Sequence, residues 1–249
     1  MPVFSESKTL EDHKVGHFGY AAVKIDELEA AQFTLATIVC DRSGSTSGFQ
    51  SDMEDALKAS VAALKNHAMV DQILVRVVAF DNDMHEIHGF CPVSAIDETQ
   101  YSGILSPGGM TALFDSVISA TEATEDYSTK LDGRKFKNNA IVIVITDGAN
   151  NSGRFSSDSD VVKVTEAFTS AMQRETLESM MTILVAVNWN NYKPYLEKFH
   201  ADAGFTQPII GIENATPESI ARVGQFIATS VSSTSMALGT GSASQQISF

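Results

Sequence analysis

The chain has 249 residues, with 17 Lys and Arg against 31 Asp and Glu, and its formal net charge is −14. A surface of this sign repels phosphate backbones and anionic lipid, so the composition argues against nucleic acid or a membrane as partner. Only two cysteines occur and the first residues lack the apolar core of a signal peptide, so we expect a cytoplasmic protein without a disulfide framework.

Apolar runs of strand length alternate with segments of helical period, which predicts a mostly parallel sheet covered by helices on both faces. The predicted strands are residues 33–40, 73–80, 84–90, 140–146, 181–187 and 207–212, with 20–25 as a further candidate that we cannot place. The predicted helices are residues 52–69, 111–126, a segment after Ser157, 192–200 and 216–230. In the segment after Ser157, the side chains expected to face inward are Val161, Val164, Phe168 and Met172.

This pattern divides the chain into three parts. Residues 32–230 form one α/β domain, and residues 1–31 form an N-terminal extension. Residues 231–249 are rich in Ser and Gly and almost uncharged, which predicts a flexible tail.

Three loops place short oxygen-bearing side chains at the ends of predicted elements. Asp41, Ser43 and Ser45 follow the first buried strand, Thr111 precedes a helix, and Asp147 follows the most apolar strand. In an open α/β sheet the loops that lead from strands into helices lie along one edge, where ligands bind. In an extended chain alternate side chains point the same way, so Asp41, Ser43 and Ser45 can all face one point.

The chemistry of these five side chains indicates a cation site. Two carboxylates about 5 Å apart would repel each other by about 3 kcal/mol without a cation or a shared proton. Oxygen ligands without sulfur or imidazole suit hard divalent cations such as Mg²⁺. Taken singly, each residue is also explained by capping or turn chemistry. A phosphate-binding loop is disfavoured because neither DRSGST nor SPGGMT has the Lys of the Walker pattern.

The segments DRSGS (41–45), GGMTALFDS (108–116) and ITDGANN (145–151) resemble the three motifs of the von Willebrand factor type A domain, which form its metal-ion-dependent adhesion site. The resemblance implies a doubly wound, Rossmann-like α/β/α sandwich. It also implies a six-stranded, mostly parallel sheet with one antiparallel edge strand, which residues 84–90 would supply. Ser43, Ser45 and Thr111 would then bind the metal through their hydroxyls, and Asp41 and Asp147 would act largely through bound waters.

By the same resemblance the protein is a binding module without catalytic residues, and its cofactor is Mg²⁺, with Ca²⁺ or Mn²⁺ as alternatives. A partner protein would complete the metal's coordination with an Asp or Glu carboxylate. The compact form, the acidic charge and the missing signal resemble intracellular bacterial or phage-type members of the family. This resemblance suggests as partners an AAA+ ATPase, or the kinases and phosphatases of tellurium-resistance-type stress systems. We place Phe49, Arg154 and Phe155 on a rim that selects the partner.

Two other functions stay open. A metal-dependent phosphoester hydrolase would use the same carboxylates, although no His or Glu lies within the three loops to act as a base. A structural protein could self-associate by docking its tail or its N-terminal extension on a neighbouring copy.

Overall fold

The sheet and its helices account for most of the chain in the computed structural model, which describes residues 10–240 and residue 249. The strands are β1 (Leu10–Val15), β2 (Phe18–Val23), β3 (Gln32–Asp41), β4 (Ile73–Phe80), β5 (Met84–Pro92), β6 (Lys137–Thr146), β7 (Met180–Val187) and β8 (Ile210–Ile212). The α-helices are α1 (Gln50–Lys65), α2 (Leu113–Asp132), α3 (Val161–Gln173), α4 (Lys193–Ala203) and α5 (Pro217–Thr240).

The strands form one sheet in the order β1-β2-β5-β4-β3-β6-β7-β8. Strand β3 lies between β4 and β6 and is parallel to both, so the winding direction reverses there. β6, β7 and β8 continue in parallel, whereas β5 runs antiparallel to β4. The predicted fold class, a doubly wound α/β/α sandwich with a mostly parallel sheet, is confirmed.

The central strands are buried on both faces, because each face is covered by its own set of helices. Ala36, Ile38 and Cys40 of β3 pack in the core beneath α1 and α5. Leu35 and Val39, which alternate with them, pack in the second core beneath α2, α3 and α4. Parallel strands covered in this way have uninterrupted apolar sequences, which is why they could be recognised from the sequence.

The sheet has more strands than the six that the resemblance implied. Residues 10–23 form the hairpin β1–β2, and β2 joins β5 through the pair Ala22 and Phe90. Strand β5 is antiparallel as expected, but the hairpin lies beyond it at the edge. Part of the predicted N-terminal extension is therefore built into the sheet, and residues 1–9 lie outside the described part of the chain.

The C-terminal prediction needs correction, because α5 continues through Thr240 instead of ending near Ser230. Val231, Thr234 and Leu238 are buried, so the segment carries an apolar stripe at helical spacing despite its small residues. The backbone carbonyl of Thr234 accepts a hydrogen bond of 2.7 Å from Asn139 Nδ2 on β6. Packing against the sheet thus outweighs the weak helix propensity of Ser and Thr. Of the predicted tail, residues 241–248 are not described.

Smaller differences concern helix ends and faces. Helix α1 ends at Lys65 rather than at residue 69, and α2 extends to Asp132. On α3 the inward side chains are Val164, Phe168 and Ala171, whereas Met172 is 45% exposed. Within residues 10–240, the helices include none with the length and hydropathy of a membrane span.

Candidate metal centre

The candidate site lies where β3 and β6 end side by side. Cys40 of β3 pairs with Ile145 of β6, so Asp41 emerges next to Thr146, and Asp147 follows at once. The hydroxyl of Thr146 donates a hydrogen bond of 2.6 Å to Asp41 Oδ2. The register of these two strands therefore brings together two loops that are about a hundred residues apart in the chain.

The first loop connects both carboxylates through a chain of hydrogen bonds. The backbone N–H of Ser43 donates to Asp41 Oδ1 at 2.7 Å. The hydroxyls of Ser43 and Ser45 lie 3.1 Å apart, and Ser45 Oγ donates to Asp147 Oδ1 at 2.7 Å. Four of the five predicted site residues are thus in contact around one point.

The convergence has a different geometric basis from the one predicted. The chain is extended only to about Ser43, and residues Gly44–Gly48 form a short 3-10 helix. Ser45 therefore reaches Asp147 from a tight turn and not from an alternating strand. The spacing argument explains Asp41 and Ser43, and the turn explains Ser45.

Thr111 joins the same centre from the second loop. It is buried, and a Cβ placed on Gly148, directly after Asp147, would lie 3.6 Å from Thr111 Oγ1. Its backbone N–H donates to Asn151 Oδ1 at 2.7 Å, and its carbonyl accepts from Asn151 N at 3.0 Å. Ala112, not Thr111, precedes the first residue of α2, so helix capping does not account for the threonine.

Backbone hydrogen bonds tie the first and second loops together. Gly44 N donates to the carbonyl of Gly109 at 3.3 Å, and Gly108 N donates to the carbonyl of Arg42 at 3.0 Å. Gly109 has φ +69°, and a side chain there would meet Asn82 Oδ1 at 2.2 Å. A glycine is required at this position, because both the backbone conformation and the contact exclude a Cβ.

A fourth loop, the turn between β4 and β5, supports the other three without contributing a predicted ligand. The carbonyl of Asp81 accepts from Ala112 N at 2.7 Å, and Asn82 Oδ1 accepts from Met110 N at 3.0 Å. Asn82 Nδ2 donates to Ser152 Oγ at 3.0 Å on the loop after β6. Asp and Asn are common turn residues, but no local pattern in the sequence shows which loops Asp81 and Asn82 hold.

The two carboxylates lie in an environment that favours their neutral forms. Asp41 is 6% and Asp147 is 4% exposed, and within residues 10–240 neither forms an ion pair. Burial raises the pKa of Asp41 to about 6, against hydrogen bonds from Thr146 and Ser43 that lower it. Burial likewise raises the pKa of Asp147. These groups lack positive charge around them, which a bound cation would supply.

Arg42, the nearest basic residue in sequence, does not supply that charge. Its guanidinium pairs with Asp81 at 2.7 Å and contacts His85 Nε2 at 2.7 Å. Among the described residues there is also no group of three or more His, Cys, Asp or Glu side chains suited to a metal. The candidate centre therefore depends on hydroxyl ligands beside its two carboxylates.

The predicted rim is only partly at the surface. Phe49 is 5% exposed and packs in the core at the start of α1, so it cannot contact a partner, and that prediction is wrong. Arg154 is exposed, as predicted. Phe155 is half-buried against the second core, and its N–H donates to Asp115 Oδ1 at 2.9 Å. Met110, which was not among the predicted rim residues, is 49% exposed between Gly109 and Thr111.

Comparison with known proteins identifies the fold but no close relative. No protein family model matches the sequence, and no curated protein matches it. The chain is similar in structure to the PilB minor pilin from Streptococcus sanguinis, with a TM-score of 0.56 and 13% identity over 85% of this chain and 64% of that chain. It is similar to the pilus adhesin SpaC from Lactobacillus rhamnosus GG, with a TM-score of 0.58 and 11% identity over 90% of this chain and 34% of that chain.

A third similar structure covers a single domain. The von Willebrand factor domain of the type V pili tip protein Mfa5 from Porphyromonas gingivalis has a TM-score of 0.56 and 10% identity, over 89% of this chain and 99% of that domain. At such identities the similarity concerns the fold alone. The chain spans less than two thirds of the pilin and about a third of the adhesin. The protein therefore has a von Willebrand factor type A-like fold.

Proposed function

We propose that this protein is a divalent-cation-dependent binding domain, which captures an Asp or Glu carboxylate of a partner protein at the carboxyl edge of its sheet. The observation that carries the proposal is the convergence of Asp41, Ser43, Ser45, Thr111 and Asp147 from three loops. Two of these are buried carboxylates without ion pairs in the described part of the chain. A pair of this kind is unfavourable in the folded state unless a cation or protons neutralise it.

The donor set fits a hard cation. Ser43, Ser45 and Thr111 would offer neutral oxygens, and Asp41 and Asp147 would supply the negative charge, in part through water. Mg²⁺ is the proposed metal, with Mn²⁺ or Ca²⁺ as alternatives. A cation held by neutral direct ligands stays electrophilic and would accept one further carboxylate from outside. The start of α2 at Leu113 adds the positive end of a helix dipole on the same side.

The similar structures support an interaction role at a coarser level. They include a pilus adhesin and the von Willebrand factor domain of a pilus tip protein. The finer assignment, a cytoplasmic adaptor for an AAA+ ATPase or a kinase and phosphatase in a stress response, is a proposal from the sequence resemblance. A pilus-associated role is the alternative that the similar structures offer.

Calorimetric titration tests the cation site. We expect Mg²⁺ and Mn²⁺ to bind the wild-type protein at one site, and Asp147→Asn to weaken binding by about 10- to 100-fold. Asp71→Asn is the matched control, because Asp71 is exposed just before β4, at the opposite end of the sheet. Equal affinities for Asp147→Asn and the wild type would contradict the proposal.

A pull-down from lysate tests the partner half of the proposal. A prey retained with Mg²⁺, lost with chelator and lost with Asp147→Asn is the expected result. Identical prey under all three conditions would exclude cation-dependent capture. Hydrolysis of a phosphoester with Mg²⁺ or Mn²⁺, abolished by Asp147→Asn, would instead favour the hydrolase.

A further inference from the structure

A large apolar side chain stands at the mouth of the proposed cation site. Met110 is 49% exposed, and it directly precedes Thr111, a proposed ligand. The Cα atoms of consecutive residues are about 3.8 Å apart, so this side chain begins within one residue of the site. A single exposed methionine is unremarkable on a protein surface, but its position here is next to the proposed contact with a partner.

The backbone that carries Met110 is fixed on both sides. Its own N–H donates to Asn82 Oδ1 at 3.0 Å, and Asn82 is in turn bonded to Ser152. On one side, Gly109 is bonded through its carbonyl to Gly44 N. On the other side, Thr111 is bonded to Asn151 through both its N–H and its carbonyl. The loop is therefore ordered before binding, and only the methionine side chain has freedom to adapt.

The charged groups beside this position are mostly engaged. The Arg42 guanidinium is bound to Asp81 and His85, so it is not available to a partner's carboxylate. Asp41 and Asp147 are buried and face the cation site. Asn82 and Asn151, which are bonded to the backbone beside Met110, are polar and exposed, so in the three site loops Met110 is the exposed large apolar side chain that a partner would meet beside the cation. A thioether side chain suits this role, because it is flexible and polarisable and packs well against varied apolar groups.

We infer that Met110 is a specificity-determining contact, which selects partners with an aliphatic side chain directly beside the acidic residue that reaches the cation. The inference rests on the proposed function, because it concerns the residue next to the captured carboxylate. An isolated acidic residue among polar neighbours would bind more weakly. Partial burial of one leucine side chain against Met110 should raise the affinity of a partner by about five- to tenfold over one with glycine at that position.

Four capped dipeptides provide the test: acetyl-Asp-Leu-amide and acetyl-Leu-Asp-amide, with acetyl-Asp-Gly-amide and acetyl-Gly-Asp-amide as their matched glycine forms. Each is titrated in Mg²⁺ or in chelator into protein labelled with ¹³C at the methionine methyl groups. The Met110 signal is assigned by its loss in Met110→Ser. We expect one leucine peptide to bind about five- to tenfold more tightly than its glycine form in Mg²⁺, and to shift the Met110 methyl signal.

Met236→Ser is the matched control. Met236 is 52% exposed, close to the value for Met110. It lies near the end of α5, where a Cβ on Gly239 would be 3.3 Å from Gln32 Nε2 at the start of β3, and so at the opposite end of the sheet. Met236→Ser should retain the preference for leucine, whereas Met110→Ser should bind the leucine and glycine forms alike.

The outcomes separate the inference from the proposed function. If wild-type protein binds all four peptides equally in Mg²⁺ and none in chelator, cation-dependent capture stands and the role of Met110 is overturned. A leucine preference that survives Met110→Ser also overturns it. If no peptide binds in a cation-dependent manner, both the proposed function and the inference fail.

Discussion

Two regions of the molecule hold carboxylates at partly or fully buried positions, and they treat the charge differently. At the hairpin seam, defined as the residues where β2 meets β5 and α2, Glu86 Oε1 pairs with Arg76 Nε at 2.6 Å, and Asp126 pairs with Lys130. At the site edge, defined as the three loops with the proposed ligands, Asp41 and Asp147 have no ion pair with any residue of the range 10–240.

The pKa values of the acidic groups show what this difference means. Burial acts to raise the pKa of Asp126, but hydrogen bonds from Lys130 and Tyr20 hold it below its ordinary value. Burial raises the pKa of Asp41 to about 6. Ionised Asp126 therefore favours the folded state, whereas ionised Asp41 disfavours it. An acid with a charged partner in the chain is structural, and a buried acid without one can receive a partner from outside.

The ion pair of Glu86 with Arg76 is important at the seam because few backbone hydrogen bonds join the β1–β2 hairpin to β5. Within residues 10–240, strand β2 pairs with β5 at Ala22 and Phe90 alone. Gly89 allows this approach, since a Cβ there would meet the carbonyl of Ala21 at 1.9 Å. Glu86 supplies a further link, because its Oε2 accepts from Ala21 N at 2.9 Å. One carboxylate thus pairs with Nε of a buried guanidinium and secures the neighbouring strand.

The largest expected effect is the loss of this carboxylate. Glu86→Ala leaves the 1%-exposed guanidinium of Arg76 without its charged partner and frees the N–H of Ala21. We expect the free energy of unfolding to fall by about 3 kcal/mol, at the lower end for a broken buried pair because Glu86 is 24% exposed. Urea denaturation measures the change.

The control for the seam is Glu11→Ala on the β1–β2 hairpin. Glu11 forms an ion pair with Lys24 at 3.8 Å, and both side chains are largely exposed. We expect a change within about 0.5 kcal/mol. Comparable losses for Glu11→Ala and Glu86→Ala would show that burial of the pair does not set its contribution.

The same contrast explains what the sequence could predict. The parallel strands were recognisable because burial on both faces leaves uninterrupted apolar runs, and the site residues because loops at strand ends share one edge. Strand β1 was missed since its sequence, LEDHKV, is mostly charged and lies at an exposed edge. The place of the β1–β2 hairpin in the sheet depends on contacts of Tyr20, Glu86 and Gly89 with residues distant in the sequence, which no local pattern reveals.

Predictions for single residues and for the end of α5 failed for the same reason. Phe49 follows the site loop in sequence, and only the direction of the chain into α1 decides that its side chain enters the core. The end of α5 looked flexible because its composition is small and polar, and its burial is a property of the sheet beneath it. Met110 was visible in the sequence, but its exposure depends on the position of its loop, which the hydrogen bond from Met110 N to Asn82 Oδ1 helps to fix.

The second largest expected effect concerns the site edge, where removing a charge should act in the opposite direction. Asp41→Asn keeps an acceptor for Ser43 N, and the rotatable hydroxyl of Thr146 can accept from the new amide. Without metal we expect stability to stay equal or rise by about 1 kcal/mol, because a buried unpaired charge is removed. Mg²⁺ at about 100 times its dissociation constant should stabilise the wild type by about 2.7 kcal/mol, and this gain should vanish in the variant.

Thermal and urea unfolding with Mg²⁺ and with chelator measure both parts of this prediction, and Asp71→Asn serves again as the exposed control. It should behave as the wild type does, with the full gain from Mg²⁺. A loss of stability without metal in Asp41→Asn, as large as that of Glu86→Ala, would show that the site carboxylate is structural and would remove the distinction between the two regions.

The smallest expected effect is a dependence of Mg²⁺ affinity on pH. Burial raises the pKa of Asp41 to about 6 and raises that of Asp147, and cation binding requires the ionised forms. The affinity should therefore be nearly constant above pH 7 and fall by about tenfold per pH unit below about 6. Calorimetric titrations between pH 5 and 8 measure this profile.

Protonation has the opposite effect on folding without metal. Because the pKa of folded Asp41 lies above that of the unfolded chain, this residue makes the fold more stable as pH falls through about 6. His88 acts against it, since burial lowers its pKa to about 4 and stability is lost as pH falls below its unfolded value near 6.5. The difference in unfolding free energy between the wild type and Asp41→Asn isolates the aspartate. A difference that does not change between pH 7 and 5 would mean that Asp41 keeps its charge in the fold, as Asp126 does.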